Sequence, residues 1–341
     1  MFGLGCLKKN FKRKSLLLFA IVLFLRFQLF SQQFELRDMA KMQWYKGSLH
    51  THAREGESDS SVEYVVKWYR EHDYNFLVIT DHSTVTIPPA YAIEGDPSFL
   101  FIPGEEIMGY GTGRLLEINA FNITEDISPI HSETDLDALQ KCIDTVRRMG
   151  GIPMINHPNY QWRLDADIIL NSKDCNLFEL YNGCPGTNNY GDDNHPSTEQ
   201  IWDFMLSAGK RIYATATDDA HVYQKFSAEL SNPGRGWVVV KAKKLEVNEI
   251  LQNLEAGLFY SSTGVEISDL IVKPVQIEIF IQISGKNQYT TDFIGTKGKL
   301  LLRTQNNPAV YKLTSNEKYV RAKIVASDGS CAWIQPIFVV P

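Results

Sequence analysis

Gly47-Ser-Leu-His-Thr-His52 closes a short apolar run containing Met42, Trp44 and Tyr45, and that run reads as a β-strand. Residues two apart in an extended segment share a face, so His50 and His52 point the same way at the strand's end. Two imidazoles on one face can bind one cation. The pair is weak evidence alone. Its weight comes from recurrence: an apolar run followed by a ligand-type residue appears again and again down the chain.

Ser60 and Glu63 read as a capping box for a helix with Val62, Val65, Val66 and Tyr69 on one face. Asn75–Thr80 is a buried strand ending in Asp81-His82. Phe99–Pro103 runs into Gly104-Glu105-Glu106, and Leu115–Phe121 is a strand carrying Glu117. A helix on Leu136, Leu139, Ile143 and Val146 stops at Gly150-Gly151. Ile152–Asn156 leads to His157, and Asn176–Tyr181 is a strand carrying Glu179. Ser197 and Gln200 cap the next helix, Arg211–Thr217 precedes Asp218-Asp-Ala-His221, and Gly236–Ala242 precedes a helix on Val247, Ile250, Leu251 and Leu254.

Strands alternating with helices imply a parallel sheet. Ligand-type residues follow nearly every strand, the layout of a closed barrel whose active face lies at the strand carboxyl ends. An open doubly wound sheet would concentrate its signals at one crevice. The expected fold class is therefore α/β, a TIM-like barrel over 42–266. From Asp269 the texture changes to strict alternation (Val275, Ile277, Ile279, Ile281, Ile283) and further strands at Lys299–Arg303, Tyr319–Ala326 and Trp333–Val340. Residues 269–341 read as a small C-terminal all-β sandwich domain.

The amino terminus has a basic head (Lys8, Lys9, Lys12, Arg13, Lys14) and an apolar stretch, Ser15–Leu25, the pattern of a signal peptide over 1–32. Removal near Ser31–Gln32 would make the protein secreted or periplasmic; an uncleaved anchor running to Phe30 is the alternative. A net charge of −6 gives no footprint for nucleic acid. No membrane contact is expected beyond the signal segment, and oligomeric state is not legible. The cysteines lack the C-x-x-C spacing of a zinc ribbon.

Five of the eight histidines (His50, His52, His82, His157, His221) directly follow predicted strands, with Asp81, Glu106 and Asp219 nearby. Converging imidazoles and carboxylates repel and desolvate one another unless cations hold them together. Such ligands suit zinc, manganese or iron, and the inventory is large enough for two or three ions.

Gly47–His52, Ile79-Thr-Asp-His82, Pro103-Gly-Glu-Glu106, Asn156-His-Pro158 and Asp218–His221, in that order, resemble the motifs of the PHP (polymerase and histidinol phosphatase) superfamily from Trp44 to Glu266. Pro233–Trp237 and the carboxy-terminal strands are similar to the branch of exported hydrolases that includes carbaryl hydrolase. The resemblance implies a distorted seven-stranded (β/α) barrel and a trinuclear site. His50, His52, Glu106 and Asp219 would hold one ion; Glu106 would bridge to a second, shared with His157; and His82, His221 and Glu57 would take the third. Glu57 departs mildly from the family's usual Asp or His. Glu117 stands where the family usually presents His; it can ligate but adds negative charge. Glu105 reads as solvated or salt-bridged.

The implied activity is that of an enzyme, a metal-dependent phosphoesterase attacking a phosphate mono- or diester with a metal-bridged hydroxide. Either Asp219 or Asp81 would orient the nucleophile, and either His221 or a bound water would protonate the leaving group. Lys46, Arg54, His195 and Arg235 are the candidates for contact with a small anionic ester. A carboxylic or carbamate ester or amide hydrolase on the same site is the alternative, and a non-catalytic metal-binding envelope protein a third reading. An amidohydrolase-type barrel also uses H-x-H but needs a lysine after a middle strand, and none is present.

Overall fold

The computed structural model describes residues 42–339; the expected signal segment lies outside them. The elements run β1 (Gln43–Ser48), α1 (Val62–Glu71), β2 (Phe76–Ile79), α2 (Ala90–Ile93), β3 (Leu100–Tyr110), β4 (Leu115–Phe121), β5 (Ile130–His131) and α3 (Asp135–Arg148). They continue with β6 (Ile152–Ile155), α4 (Ala166–Asn171), β7 (Leu177–Asn182), α5 (Thr198–Ser207), β8 (Tyr213–Thr217), β9 (Trp237–Ala242), α6 (Val247–Glu255) and β10 (Phe259–Ser262). All-β structure follows: β11 (Ile267–Lys273), β12 (Gln276–Ile281), β13 (Tyr289–Gly295), β14 (Lys299–Thr304), β15 (Ala309–Lys312), β16 (Tyr319–Ala326) and β17 (Cys331–Phe338).

The fold is mixed α/β with parallel strands at its heart. β1, β2 and β3 pair in parallel, and so do β6, β7 and β8. Every residue of β2, β6 and β8 is buried, as expected of parallel strands covered on both faces. Each fully buried Val, Leu or Ile contributes about 1.5–3 kcal/mol. Gly47 is required by packing: a Cβ there would lie 2.1 Å from the Phe76 ring.

One strand departs from the parallel expectation. β4 runs antiparallel to both β3 and β6, because a tight turn after β3 reverses the chain with no crossover helix. The reversal puts Glu117, near the start of β4, at the same end as the carboxyl ends of the other strands. The two edges of the β1–β8 run meet there too: Thr51 bridges Ala220, with Asp219 N donating to His50 O at 3.1 Å and His52 N to Ala220 O at 3.0 Å.

On the other side of β1 the sheet continues without a break, through β9 and β10 to β17, β16, β13 and β14, across the boundary expected at 266–269. β11, β12 and β15 form a separate three-stranded sheet. Val239, Tyr260, Ile279, Phe293 and Ile324 are buried together in a core shared by the two sheets. The strands β10, β11, β13 and β15 were not legible in the sequence, being short or irregular in their alternation. Helix α1 begins one residue later than the Ser60–Glu63 box implies: Ser61 is its N-cap, accepting from Tyr64 N. The Ser197–Gln200 capping box of α5 is present. Among the described residues, no helix is long and apolar enough to cross a membrane.

Candidate metal centre

The strand ends bring His50, His52, Glu106 and Asp219 together. Glu106 Oε2 lies 3.2 Å from His50 Nε2, 3.5 Å from His52 Nε2 and 3.2 Å from His82 Nε2. Its Oε1 lies 3.2 Å from His157 Nε2 and accepts from Asn156 Nδ2 at 2.7 Å. Glu106 thus meets four imidazoles. Asp219 Oδ1 lies 3.5 Å from His50 Nε2 and 3.2 Å from both His52 Nε2 and His221 Nε2. Asp219 is a non-glycine residue at φ 49, so backbone strain is stored at the centre.

The far side of each ring is held by a partner. His50 Nδ1 meets Glu179 Oε1 at 2.6 Å, while Glu179 Oε2 accepts from His157 N at 2.7 Å and from Asn182 Nδ2 at 3.0 Å. Glu57 Oε2 lies 3.1 Å from His52 Nδ1 and 3.0 Å from His82 Nδ1. His221 Nδ1 donates to the Glu57 carbonyl at 2.8 Å. These contacts turn the Nε2 atoms of His50, His52 and His221 toward the acids. His50 Nε2 and His52 Nε2 are buried without a hydrogen-bond partner.

That last observation tests whether a cation fits. A buried ring nitrogen left without a hydrogen-bond partner is unfavourable. Two of them converging on two carboxylates make a ready set for a divalent ion. Four groups of three ligand-type side chains have donor atoms within 4.8 Å of one another: His50–His52–Asp219, His50–His157–Glu179, His52–Glu57–His82 and His82–Glu106–Glu117. The residues fit metal ions.

The electrostatics agree. Burial disfavours charge on His50, His52, His157, Glu106 and Asp219, yet opposite charges outweigh it. His50 is held well above the usual imidazole range despite burial, chiefly by Asp219 and Glu106. His52, against its burial, is raised to about 9 by Asp219 and Glu57, and His157 to about 9 by Glu106. Glu106 and Asp219 are buried yet held well below the carboxylate range by their histidines. Glu117 is raised by burial and by the Glu106 charge, against the pull of His157 and Arg163.

Several placements differ from those expected. His221 meets Asp219 rather than grouping with His82, whose ring centroid is 6.3 Å away. Asp81 is fully buried and committed to the backbone: Oδ1 accepts from Ala53 N at 2.8 Å and Arg54 N at 3.1 Å, and Oδ2 from Thr86. It shapes the turn carrying His52. Glu105 is not solvated or salt-bridged: it alternates to the opposite face of β3, is buried, and accepts from Ile127 N at 2.9 Å. Burial pushes it up to about 8.

The expected substrate contacts are likewise engaged elsewhere. Lys46 Nζ donates to His72 O at 3.2 Å and lies over the Tyr74 and Trp237 rings, at the strand end away from the histidines. Arg235 donates to Gly183 O at 3.0 Å, to Ser227 O and to Asn232 Oδ1 at 3.1 Å, tying loops together. His195 stacks on Trp162 at 3.9 Å and meets Asp192 at 2.8 Å. Two groups beside the histidines were not read as site residues in the sequence. Glu179 had a signal, a carboxylate inside a buried apolar strand, which demands a partner. Arg163, whose Nη1 donates to Glu117 Oε2 at 2.6 Å, sits in a loop with no such signal. The four described cysteines are unpaired.

No protein-family profile matches the chain, and no curated protein matches it. Among solved structures, the chain is similar to a two-domain protein of Bacteroides vulgatus described as containing a predicted PHP-like metal-dependent phosphoesterase. The identity is 12%, the TM-score 0.46, and the match covers 84% of this chain and 92% of that one. It is also similar to an amidohydrolase of Chromobacterium violaceum with bound sulfate and no metal, at 14% identity and a TM-score of 0.38, covering 52% of this chain and 88% of that one.

Proposed function

We propose that this chain is an exported metal-dependent hydrolase of the PHP type, of the branch similar to carbaryl hydrolase, acting on a phosphate mono- or diester. The observation that carries the reading is the buried, unpartnered pair His50 Nε2 and His52 Nε2 facing Glu106 and Asp219. In this reading β1–β4 and β6–β8 form the distorted barrel, residues 269–341 the appended β-domain, and residues 1–32 a removed signal peptide.

His50, His52, Glu106 and Asp219 would hold one divalent ion. His157 and Glu106, and His82 with Glu106 or Glu117, offer further positions, giving two or three ions of zinc, manganese or iron. Such ions supply Lewis acidity toward ester oxygens and lower the pKa of water. The chain's own residues do the rest. Glu179 and Glu57 hold the ring orientations of His50, His52 and His82, so the ligand atoms are preorganised. His221, 29% exposed beside Asp219, is placed to pass a proton at Nε2 between the pocket and solvent.

Elemental analysis of purified protein, alongside turnover of p-nitrophenyl phosphate, bis(p-nitrophenyl) phosphate and p-nitrophenyl acetate, tests the reading. Bound divalent ions and preference for a phosphate ester are expected, with His52→Ala losing both. Preference for the acetate would move the assignment to carboxylic esters. A full ion load with no turnover of any ester would mean a non-catalytic metal-binding protein.

A further inference from the structure

The centre carries five carboxylates, Glu57, Glu106, Glu117, Glu179 and Asp219, and an anionic ester must approach them. We propose that Arg163, presented beside His82 and His157 by Glu117, grips an anionic phosphoryl oxygen of the substrate. The inference rests on the hydrolase reading above and names the residue that recognises the substrate's charge.

Glu117 is the anchor. Its Oε1 lies 3.9 Å from His82 Nε2 and its Oε2 3.9 Å from His157 Nε2, so the guanidinium bound to Oε2 at 2.6 Å stands one carboxylate away from both imidazoles. A second donor, Arg163 Nη2, meets Gln161 Oε1 at 3.1 Å. A guanidinium has five N–H groups in a planar fork, so these two contacts leave donors for an anion.

The loop that delivers Arg163 is built at a cost. Gln161 and Trp162 lie at φ 53 and 54, consecutive non-glycine residues in the left-handed region, immediately after the His157 segment. The loop is pinned from outside by the Trp162–His195 stack. Reciprocal 3.1 Å hydrogen bonds add to this, from Asn159 Nδ2 to Asn188 O and from Asn188 Nδ2 to Asn159 O. Arg163 lies 4.6 Å over the Tyr160 ring, which packs edge-on at 5.3 Å against His157. Strain of this kind persists where neighbouring structure over-determines it, and here it aims a cation.

Its rivals are placed less well. Arg235 is taken up by carbonyls and Lys46 lies at the other strand end. Arg54 pairs with Glu57 and Thr84, but its side chain is 44% exposed against 15% for Arg163.

Calorimetric titration of metal-loaded protein with inorganic phosphate, with ion content measured on the same samples, tests the assignment. Arg163→Gln should keep its ions and bind phosphate about tenfold more weakly or worse. Arg163→Lys should recover only part of the affinity, because an ammonium cannot present a fork. Arg163→Gln with full ion content and phosphate affinity within about twofold of wild type overturns the proposal. If Arg163→Gln loses its ions or its fold, Arg163→Lys decides: a several-fold loss with full ion content supports the grip, and wild-type affinity means mere charge neutralisation and overturns it. Wild type that turns over esters but ignores phosphate overturns the grip and leaves the hydrolase reading standing. Wild type that takes up no divalent ion overturns both.

Discussion

His50 Nδ1 and Glu179 Oε1, 129 residues apart in the chain, meet at 2.6 Å with both side chains fully buried. This contact decides which nitrogen of His50 faces the acids. Glu179 also accepts from His157 N, Thr217 Oγ1 and Asn182 Nδ2, so one carboxylate ties β1, β6, β7 and β8 at the level of the site. Glu179→Gln would turn one acceptor into a donor facing other donors. Its affinity for divalent ions should fall about 10- to 100-fold, read by competition with a chromogenic chelator. Unchanged affinity would remove Glu179 from the centre.

Uptake of ions should release protons. His52 and His157, raised to about 9, carry protons at neutral pH in ion-free protein, and a ligand nitrogen must lose its proton to bind an ion. Apparent ion affinity should therefore rise with pH up to about 9, roughly tenfold per unit for each proton displaced. The ion-free protein behaves oppositely. A raised imidazole pKa contributes stability that is fully present below the usual 6.5 and is lost as pH rises through about 9. Chelated protein should thus show a melting temperature that declines over this window, and added ion should restore it. Scans with and without chelator at several pH values check both signs.

Asp81 and Asp219 should separate under the same substitution. Asp219→Asn removes charge from the ion-facing set and should abolish most turnover. Asp81→Asn keeps an oxygen for the Ala53 and Arg54 amides and should retain much of it. Asp81→Ala leaves those amides unpaired and should cost about 1–3 kcal/mol in denaturant unfolding. Equal loss of kcat in the two Asn variants would return Asp81 to a catalytic role.

Arg321 binds Asp203 through two hydrogen bonds, at 2.8 and 2.6 Å, and Glu199 at 3.0 Å, joining α5 to β16. It is 2% exposed. Arg321→Ala would strand buried acids and should destabilise by about 3–5 kcal/mol. Burial pushes the Glu199 carboxyl up, but Arg321 and Lys323 outweigh it and hold it below its ordinary value. Its contribution is therefore present above about 4.5 and lost as pH falls through the depressed value. Glu199→Gln should flatten the acid limb of a stability–pH curve; an unaltered limb would assign acid sensitivity elsewhere.

The ligand-type residues were legible because each follows an apolar run, and such runs announce buried strands whatever their neighbours. His50, His52, His82, His157 and His221 are all found near the carboxyl ends of strands for that reason. Partners were not legible. His221 faces Asp219 because β8 exits against β1, a pairing that no local pattern encodes. Glu105 and Glu106 are adjacent letters with opposite fates, decided by which face of β3 meets the pocket. Arg163 was invisible because its loop owes its shape to Trp162, His195, Asn159 and Asn188, residues from two separate segments.

By itself, the sequence determined the α/β alternation, the apolar strands and the identity of the residues placed at their ends, since periodicity and composition act locally. Only the tertiary structure decided the reversed β4, the sheet continuous from β1 through β9 into the carboxy-terminal strands, and which nitrogen meets which oxygen. Those outcomes depend on contacts between segments far apart in the chain, and hydrogen-bond direction and charge pairing have no energy until the segments meet.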